Sequence, residues 1–231
     1  MARILNIETS TFVCSVNIAE NGNKIIGRET HEQNAHSKIL TVFIEEILNE
    51  TAYKISSFDA VAVSKGPGSY TGLRIGVSAA KGIVYGGGIK LLSVNTLQSM
   101  AWGAKKTLDI SEPVLFAPMI DARRMEVYTQ LYDINLKPVN EIKALVVDEN
   151  SFKTKLNSHK ICFFGDGADK CKHTILHKNA IFYEHIHPSA DYMIHFSENL
   201  FNEKKFEDLA YFEPFYLKDF VATIPTKNIF R

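Results

Sequence analysis

Little cysteine, no surplus of either charge and no long apolar run mark this sequence of 231 residues. Its three cysteines, Cys14, Cys162 and Cys171, are scattered, which argues against a disulfide scaffold and for a reducing compartment. Lysine plus arginine number 26 and aspartate plus glutamate 26, for a formal net charge of zero. A broad basic field for nucleic acid is therefore missing, and any RNA contact needs a local patch or a partner's surface. No stretch is apolar for long enough to span a membrane. Glu8 comes too early for the apolar core of a signal peptide, so the expectation is a cytoplasmic protein. Low-complexity segments are absent too. What remains is an ordinary globular composition, 45% hydrophobic and 23% charged, enough for one large domain or two small ones.

The most informative stretch runs from Ser64 to Gly76, Ser-Lys-Gly-Pro-Gly-Ser-Tyr-Thr-Gly-Leu-Arg-Ile-Gly. An apolar run, Asp59 to Val63, precedes it, and a helical pattern through Tyr85 follows. The order is strand, Gly/Pro turn, helix. Gly66 and Gly68 tolerate positive φ, Pro67 fixes the bend, and Ser69 or Thr71 caps the helix. Amides at such a helix start attract anions. Two readings stay open: a phosphate cradle, or a tight turn that lets a helix pack closely.

Read from the start, Ile4 to Ile7 is a strand ending at Glu8, followed by a turn, a strand over Val13 to Ala19, a hairpin turn at Glu20 to Asn23, and a strand over Lys24 to Thr30. His36 to Thr51 reads as a helix. Of its apolar residues, Ile39, Leu40, Phe43, Ile44, Ile47 and Leu48 cover about half the circumference, with Val42 outside. That is wider than a surface helix needs, so the helix is either deeply buried or touches something besides its own sheet. On the second helix, from about Tyr70 to Tyr85, Gly72, Gly76 and Ala80 form a stripe of small residues that allows close backbone approach. Gly86 to Gly88 stops it. A buried strand at Leu91 to Val94 and a helix from Thr96 to Lys106 complete the first part.

Asp109 to Pro113 is polar and ends in proline, a plausible boundary between residues 1–110 and 111–231. Beyond it the pattern restarts. A strand over Val114 to Ile120 ends in Asp121, Ala122 to Arg124 turns, and strands over Met125 to Tyr132 and Ile142 to Val147 follow. A helix near Asn150 to Leu156, a strand at Ile161 to Phe164, the turn Gly165-Asp166-Gly167 and a helix near Ser189 to Glu203 come next, then the tail Glu213 to Phe220. The same order of elements, with an acid at the end of each first strand, predicts an internal duplication: two like α/β half-domains facing a cleft. The C-terminal helix and tail are expected to pack back on the first half.

Two such meanders with acids at their first strand ends resemble the superfamily of actin, sugar kinases and the Hsp70 ATPase (the ribonuclease H-like or ASKHA fold). More narrowly, the chain resembles the TsaB (YeaZ) family. The matching pieces are Ile4 to Thr11, Ala35-His36-Ser37, Gly66 to Gly76, Ser93 to Leu97, Ile120 to Tyr128 and Pro214 to Leu217. The resemblance implies a part in threonylcarbamoyl transfer to N6 of the adenosine 3′ of the anticodon, in tRNAs that read codons beginning with A. It implies a non-catalytic subunit that pairs with a TsaD-like catalytic paralogue, works with a TsaE-like ATPase and meets tRNA only through the complex. No cofactor of its own is implied; ATP or ADP belongs to the partner subunits or the shared interface. It implies a partner face on the two N-terminal helices, at Ile39, Leu40, Phe43, Ile44, Ile47, Gly72, Leu73, Gly76, Ala80 and Ile83, which a homodimer can share. On that reading Gly76→Arg or Ala80→Glu would break pairing and leave the fold intact.

TsaD-like proteins carry a Val-Asn-His-x-x-x-His helix, whose histidines share one face and suit a metal. Here the stretch is Val94-Asn95-Thr96-Leu97-Gln98-Ser99-Met100. Thr96 and Met100 are poor replacements as ligands, so no metal site and no catalytic residue are expected. The alternative is an enzyme in its own right, a metallopeptidase (the family's older glycoprotease label) or a nucleotide hydrolase. For it the sequence offers a candidate anion or nucleotide cleft of Glu8, Ser10, Gly66, Gly68, Ser69, Asp121 and Arg123, although Glu8 and Asp121 equally suit bonding to neighbouring turn amides. His173, His177, His185, His187 and Cys171 cluster in sequence but read as structural or exposed groups. Cys14 and Cys162 read as core thiols.

Overall fold

A computed structural model of the chain describes residues 2–108, 110 and 112–218. Asp109 and Ser111 of the expected boundary, and Asp219 and Phe220 of the expected tail, lie outside the described residues. Two five-stranded sheets form the frame. The first holds β1 (Arg3–Glu8), β2 (Cys14–Glu20), β3 (Asn23–Thr30), β4 (Ala60–Gly66) and β5 (Lys90–Asn95) in the order β3-β2-β1-β4-β5. The second holds β6 (Val114–Asp121), β7 (Glu126–Thr129), β8 (Lys143–Val146), β9 (Lys160–Phe164) and β10 (Ala180–Tyr183) in the order β10-β9-β6-β7-β8. The orders coincide when β6 is set on β1. In both sheets the first three strands pair antiparallel, and the last two extend the sheet in parallel. This is a duplicated actin-like α/β fold.

The antiparallel strands are hairpins because short polar turns join them. Asn21 and Gly22 take positive φ between β2 and β3, as a two-residue hairpin turn demands. The parallel strands need crossovers. In the first half these are long helices, α1 (His36–Thr51, 16 residues) and α2 (Tyr70–Gly87, 18 residues). In the second half they shrink to α4 (Lys153–Leu156) and a 3-10 turn at Asp169–Cys171. The expected helix from Asn150 begins only at Lys153, because Phe152 ahead of it sits at φ 64°. The expected strand over Met125 to Tyr132 is regular only to Thr129, with Tyr132 making isolated bridges to Phe116 and Pro138. β10 had no place in the sequence reading. Gly86 and Gly87 stay helical and Gly88, at φ 63°, closes the turn.

The last helix of each half crosses over to the other. α3 (Thr96–Thr107) packs Leu97, Met100, Ala101 and Ala104 against Phe116, Ile120 and Phe164 of the second sheet. α5 (Ala190–Asn202) packs Met193, Phe196 and Leu200 against Ile4, Ala62 and Leu92 of the first. The chain after α5 also belongs to the first half: Phe212 joins its core, and Phe215 N–H donates to Lys65 O at 2.7 Å. α1 and α2 cover the opposite face of the first sheet, where Leu40, Ile44, Ile47, Val77, Ala80 and Val84 meet Ile7, Val16, Val61 and Val63. No helix among the described residues is long and apolar enough to cross a membrane.

Candidate functional site

The glycine turn is closed. Gly66 takes φ 104° and its bond to Pro67 is cis. Ser69 N–H donates to Ser10 O at 2.6 Å, and Ser69 Oγ accepts from Gly72 N–H at 3.2 Å, capping α2. A Cβ on Gly68 would stand 2.2 Å from Ser10 O, and one on Gly72 2.2 Å from Thr9 O. These glycines therefore exist to admit the Thr9–Ser10 backbone. Of the two sequence readings the tight turn holds. At Gly66, Gly68 and Ser69, the positions of the expected phosphate cradle, the Ser69 N–H is already taken by Ser10 O and Gly68 lies against the Ser10 backbone.

Glu8 and Ser10 lie inside that contact, both with no exposed surface. Glu8 Oε1 accepts from Ser10 N–H at 2.6 Å and from Ser64 Oγ–H at 2.9 Å, tying the ends of β1 and β4 together. Burial pushes the Glu8 carboxyl above the ordinary carboxylate range, against the opposing pull of its hydrogen bonds to Ser10, Ser64 and Thr9. Its Oε2 and Ser10 Oγ are buried and, among the described residues, unpartnered. The counterpart in the second half differs. Asp121 is exposed, pairs with Lys170 and accepts from Arg123 N–H at 2.8 Å. Asp166 behind it accepts from Asp121 N–H at 3.1 Å, and burial raises the Asp166 carboxyl to about 6. Arg123 is exposed at φ 70°. Of the candidate cleft residues, Glu8 is buried in the first half, while Asp121 and Arg123 are exposed in the second.

The helix pair also redistributes the expected partner face. Gly76 faces inward, since a Cβ there would lie 2.2 Å from Thr9 Oγ1, which itself donates to Gly72 O at 2.9 Å. Leu40, Leu73 and Ala80 are at most 1% exposed, and Ile44 and Ile47 are buried with them. The stripe Gly72, Gly76, Ala80 and the residues Leu73, Ile44 and Ile47 are therefore spent within the chain. Gly76→Arg or Ala80→Glu would break the fold rather than only the pairing. Ile39, Phe43 and Ile83 remain half-buried at the surface. Between the helices runs a groove of about 520 Å³, lined by His36, Leu40, Tyr70, Arg74, Ile75 and Ala79 with small polar residues beside them. Beyond Ala79 along α2, Gly82 and Gly86 open onto free space. His36 is held at the groove's base by a 3.1 Å bond between Nε2 and Val13 O. Of the α2 residues expected on the partner face, Gly72, Leu73, Gly76 and Ala80 are buried toward the chain's own core and Ile83 reaches the surface. The signal that separates the sides is size: Leu73, Val77 and Val84 share the wheel face of Gly76 and Ala80, whereas Ser78, Ala79 and Gly82 share theirs with Ile75.

Thr96 and Met100 are fully buried on α3, Met100 in the cluster with Phe116, Cys162 and Phe164. Met100 Cε reaches toward Gly165, where an added Cβ would meet it at 2.8 Å. Among the described residues no group of three or more His, Cys, Asp or Glu side chains is placed to hold a metal ion. Cys171 is buried and donates to Gly167 O, and His173 and His185 are exposed. The Cys14 thiol is pushed up to about 12 by burial, and Cys162 to about 11.

These features define a duplicated actin-like protein whose glycine turn is packed shut and whose two long helices leave an open groove. Residues 24–226 match the family model described as TsaD, tRNA N6-adenosine threonylcarbamoyltransferase. The chain is 31% identical over 224 residues to a tRNA threonylcarbamoyladenosine biosynthesis protein TsaB from Buchnera aphidicola, covering 94% of this chain and 98% of that one. It is 37% identical over 125 residues to the Haemophilus influenzae TsaB, a match that spans 54% of this chain and about half (51%) of the relative's length. The solved structure of YeaZ from Pseudomonas aeruginosa superposes with a TM-score of 0.82 at 21% identity, covering 94% of this chain and all of that one. The chain belongs to the TsaB (YeaZ) family.

Proposed function

We propose that this protein is a non-catalytic assembly subunit of the machinery that makes threonylcarbamoyladenosine in tRNA. It pairs with a TsaD-like catalytic relative through the outer face of α1 and α2, and it works with a TsaE-like ATPase. The TsaB relatives carry the pathway in their names. The observation that carries the subunit role is the state of α3. Thr96 and Met100, which stand where TsaD-like proteins have histidines, are buried as core residues, and both are poor ligands for a catalytic zinc or iron. The shut glycine turn adds support, since its Ser69 N–H is already taken by Ser10 O. Nucleotide therefore belongs to the partners or to the surface shared with them, and tRNA is met through the complex.

Transfer of the threonylcarbamoyl group to tRNA tests this, with the TsaD-like and TsaE-like proteins assayed with and without this chain. Activity is expected only when all three are present, and none from this chain alone. Full activity of the other two in its absence would overturn the proposal.

A further inference from the structure

Arginines in the folded chain differ in what satisfies them. Arg3 pairs with Glu20 at 2.5 Å, and Arg28 pairs with Glu46 and Glu50. Arg74 makes no ion pair among the described residues, yet its guanidinium has a fixed support. Its Nη1 donates to Tyr70 Oη at 3.0 Å, and its guanidinium lies 5.3 Å from the centroid of the Tyr70 ring. Tyr70 leans on Tyr216 of the C-terminal segment, with ring centroids 5.0 Å apart. That segment is in turn tied to the glycine turn through Phe215 N–H and Lys65 O. An exposed arginine is thus held over an aromatic support at the groove wall, with much of its ordering cost already met by the fold.

Charge decides what fits there. Among the described residues, Arg74 is the one formally charged residue of the groove lining, and no carboxylate lines it. A wholly apolar occupant would cover Arg74 and leave its charge unpaired, a costly arrangement. A second copy of this chain brings the same lining to a two-fold contact, hence a second arginine and no acid.

We propose that Arg74 selects the partner: the segment that seats in the α1/α2 groove carries an aspartate or glutamate that takes the Arg74 guanidinium, and apolar residues that cover Ile75 and Ala79. This rests on the pairing proposed above. The unused donors of the Arg74 fork suit a carboxylate held bidentately, and the small Ser78 and Ala79 side chains let a helix backbone come close.

Calorimetric titration of the intact chain with the TsaD-like relative, at low and high salt, tests it. Arg74→Glu is expected to weaken binding by about thirtyfold or more and to flatten its salt dependence. Arg74→Lys is expected to keep part of the affinity, and an acid-to-arginine exchange in the partner to restore binding to Arg74→Glu. Arg74→Gln gives the same reading should the reversed charge disturb the fold. If Arg74→Glu and Arg74→Gln bind within twofold of the parent while Ala79→Arg does not bind, the role of Arg74 is overturned and the pairing face stands. If Ala79→Arg also binds like the parent, the pairing face itself fails.

Discussion

The two halves share a strand order and differ in what joins the strands. Each begins with a strand that ends in an acid, runs through two antiparallel partners and extends in parallel. In each, a glycine turn packs against the end of the first strand: a Cβ on Gly68 would strike Ser10 O, and one on Gly165, at φ 101°, would stand 2.3 Å from Met119 O. The crossovers diverge. The first half keeps α1 and α2, with a groove between them, and buries its acid, whereas the second reduces both crossovers to single turns and leaves Asp121 in solvent. A sheet needs its faces covered, but covering does not need helices of 16 and 18 residues. The surplus length in the first half is what a binding surface would use.

If the turns are equivalent, their glycines are equally intolerant. Gly68→Ala and Gly165→Ala are each expected to cost about 3 kcal/mol or more, because the clash is with backbone that cannot rotate away. Urea denaturation of the two variants measures this, and a cost at only one turn would break the equivalence. The acids should differ in the pH dependence they confer. The folded-state pKa of Glu8 is raised, so its contribution is full below about pH 4.3, the ordinary glutamate value, and is lost as pH rises through the folded value. Glu8→Gln keeps the acceptor for Ser10 and Ser64 and cannot ionise. Its stability relative to the parent is therefore expected to improve from pH 5 to pH 8, read from denaturant midpoints. A difference that stays flat with pH would mean Glu8 is not held neutral.

A smaller effect separates the two sides of α2. Gly82 has nothing within 4 Å of an added Cβ, so Gly82→Ala is expected to stabilise the chain by about 0.5–1 kcal/mol. Gly76→Ala, on the opposite side of α2, is expected to destabilise it against Thr9. Thermal midpoints of the pair report the sign, and a loss at Gly82 would show that the outward side is not free.

Most of the frame was legible in the sequence because strands and crossover helices announce themselves locally. Alternation and turn residues marked β1 to β5, and the repeated order with Glu8 and Asp121 revealed the duplication. β10 escaped although Ala180 to Tyr183 is as long as β7 and β8 and symmetry with β5 asked for a strand there. The candidate site was less legible. Small residues at Gly72, Gly76 and Ala80 allow close approach, but the sequence does not say whether the neighbour is Thr9 or another chain. A wide apolar arc on α1 likewise mixes Leu40, Ile44 and Ile47, which the sheet absorbs, with Ile39 and Phe43, which flank the surface. Arg74 went unread because its meaning lies in Tyr70 and Tyr216, far apart along the chain.

The outer face of α1 and α2, not the inner stripe, is the functional surface in this account, and Ala79→Arg tests that most directly. The half-buried Ala79 lines the groove at the edge of the first-half core, so transfer is read on a variant whose thermal midpoint shows that it is folded. Reconstituted transfer with the TsaD-like and TsaE-like proteins is expected to fall to the level seen without this chain. Full transfer activity with a folded Ala79→Arg variant would contradict the account.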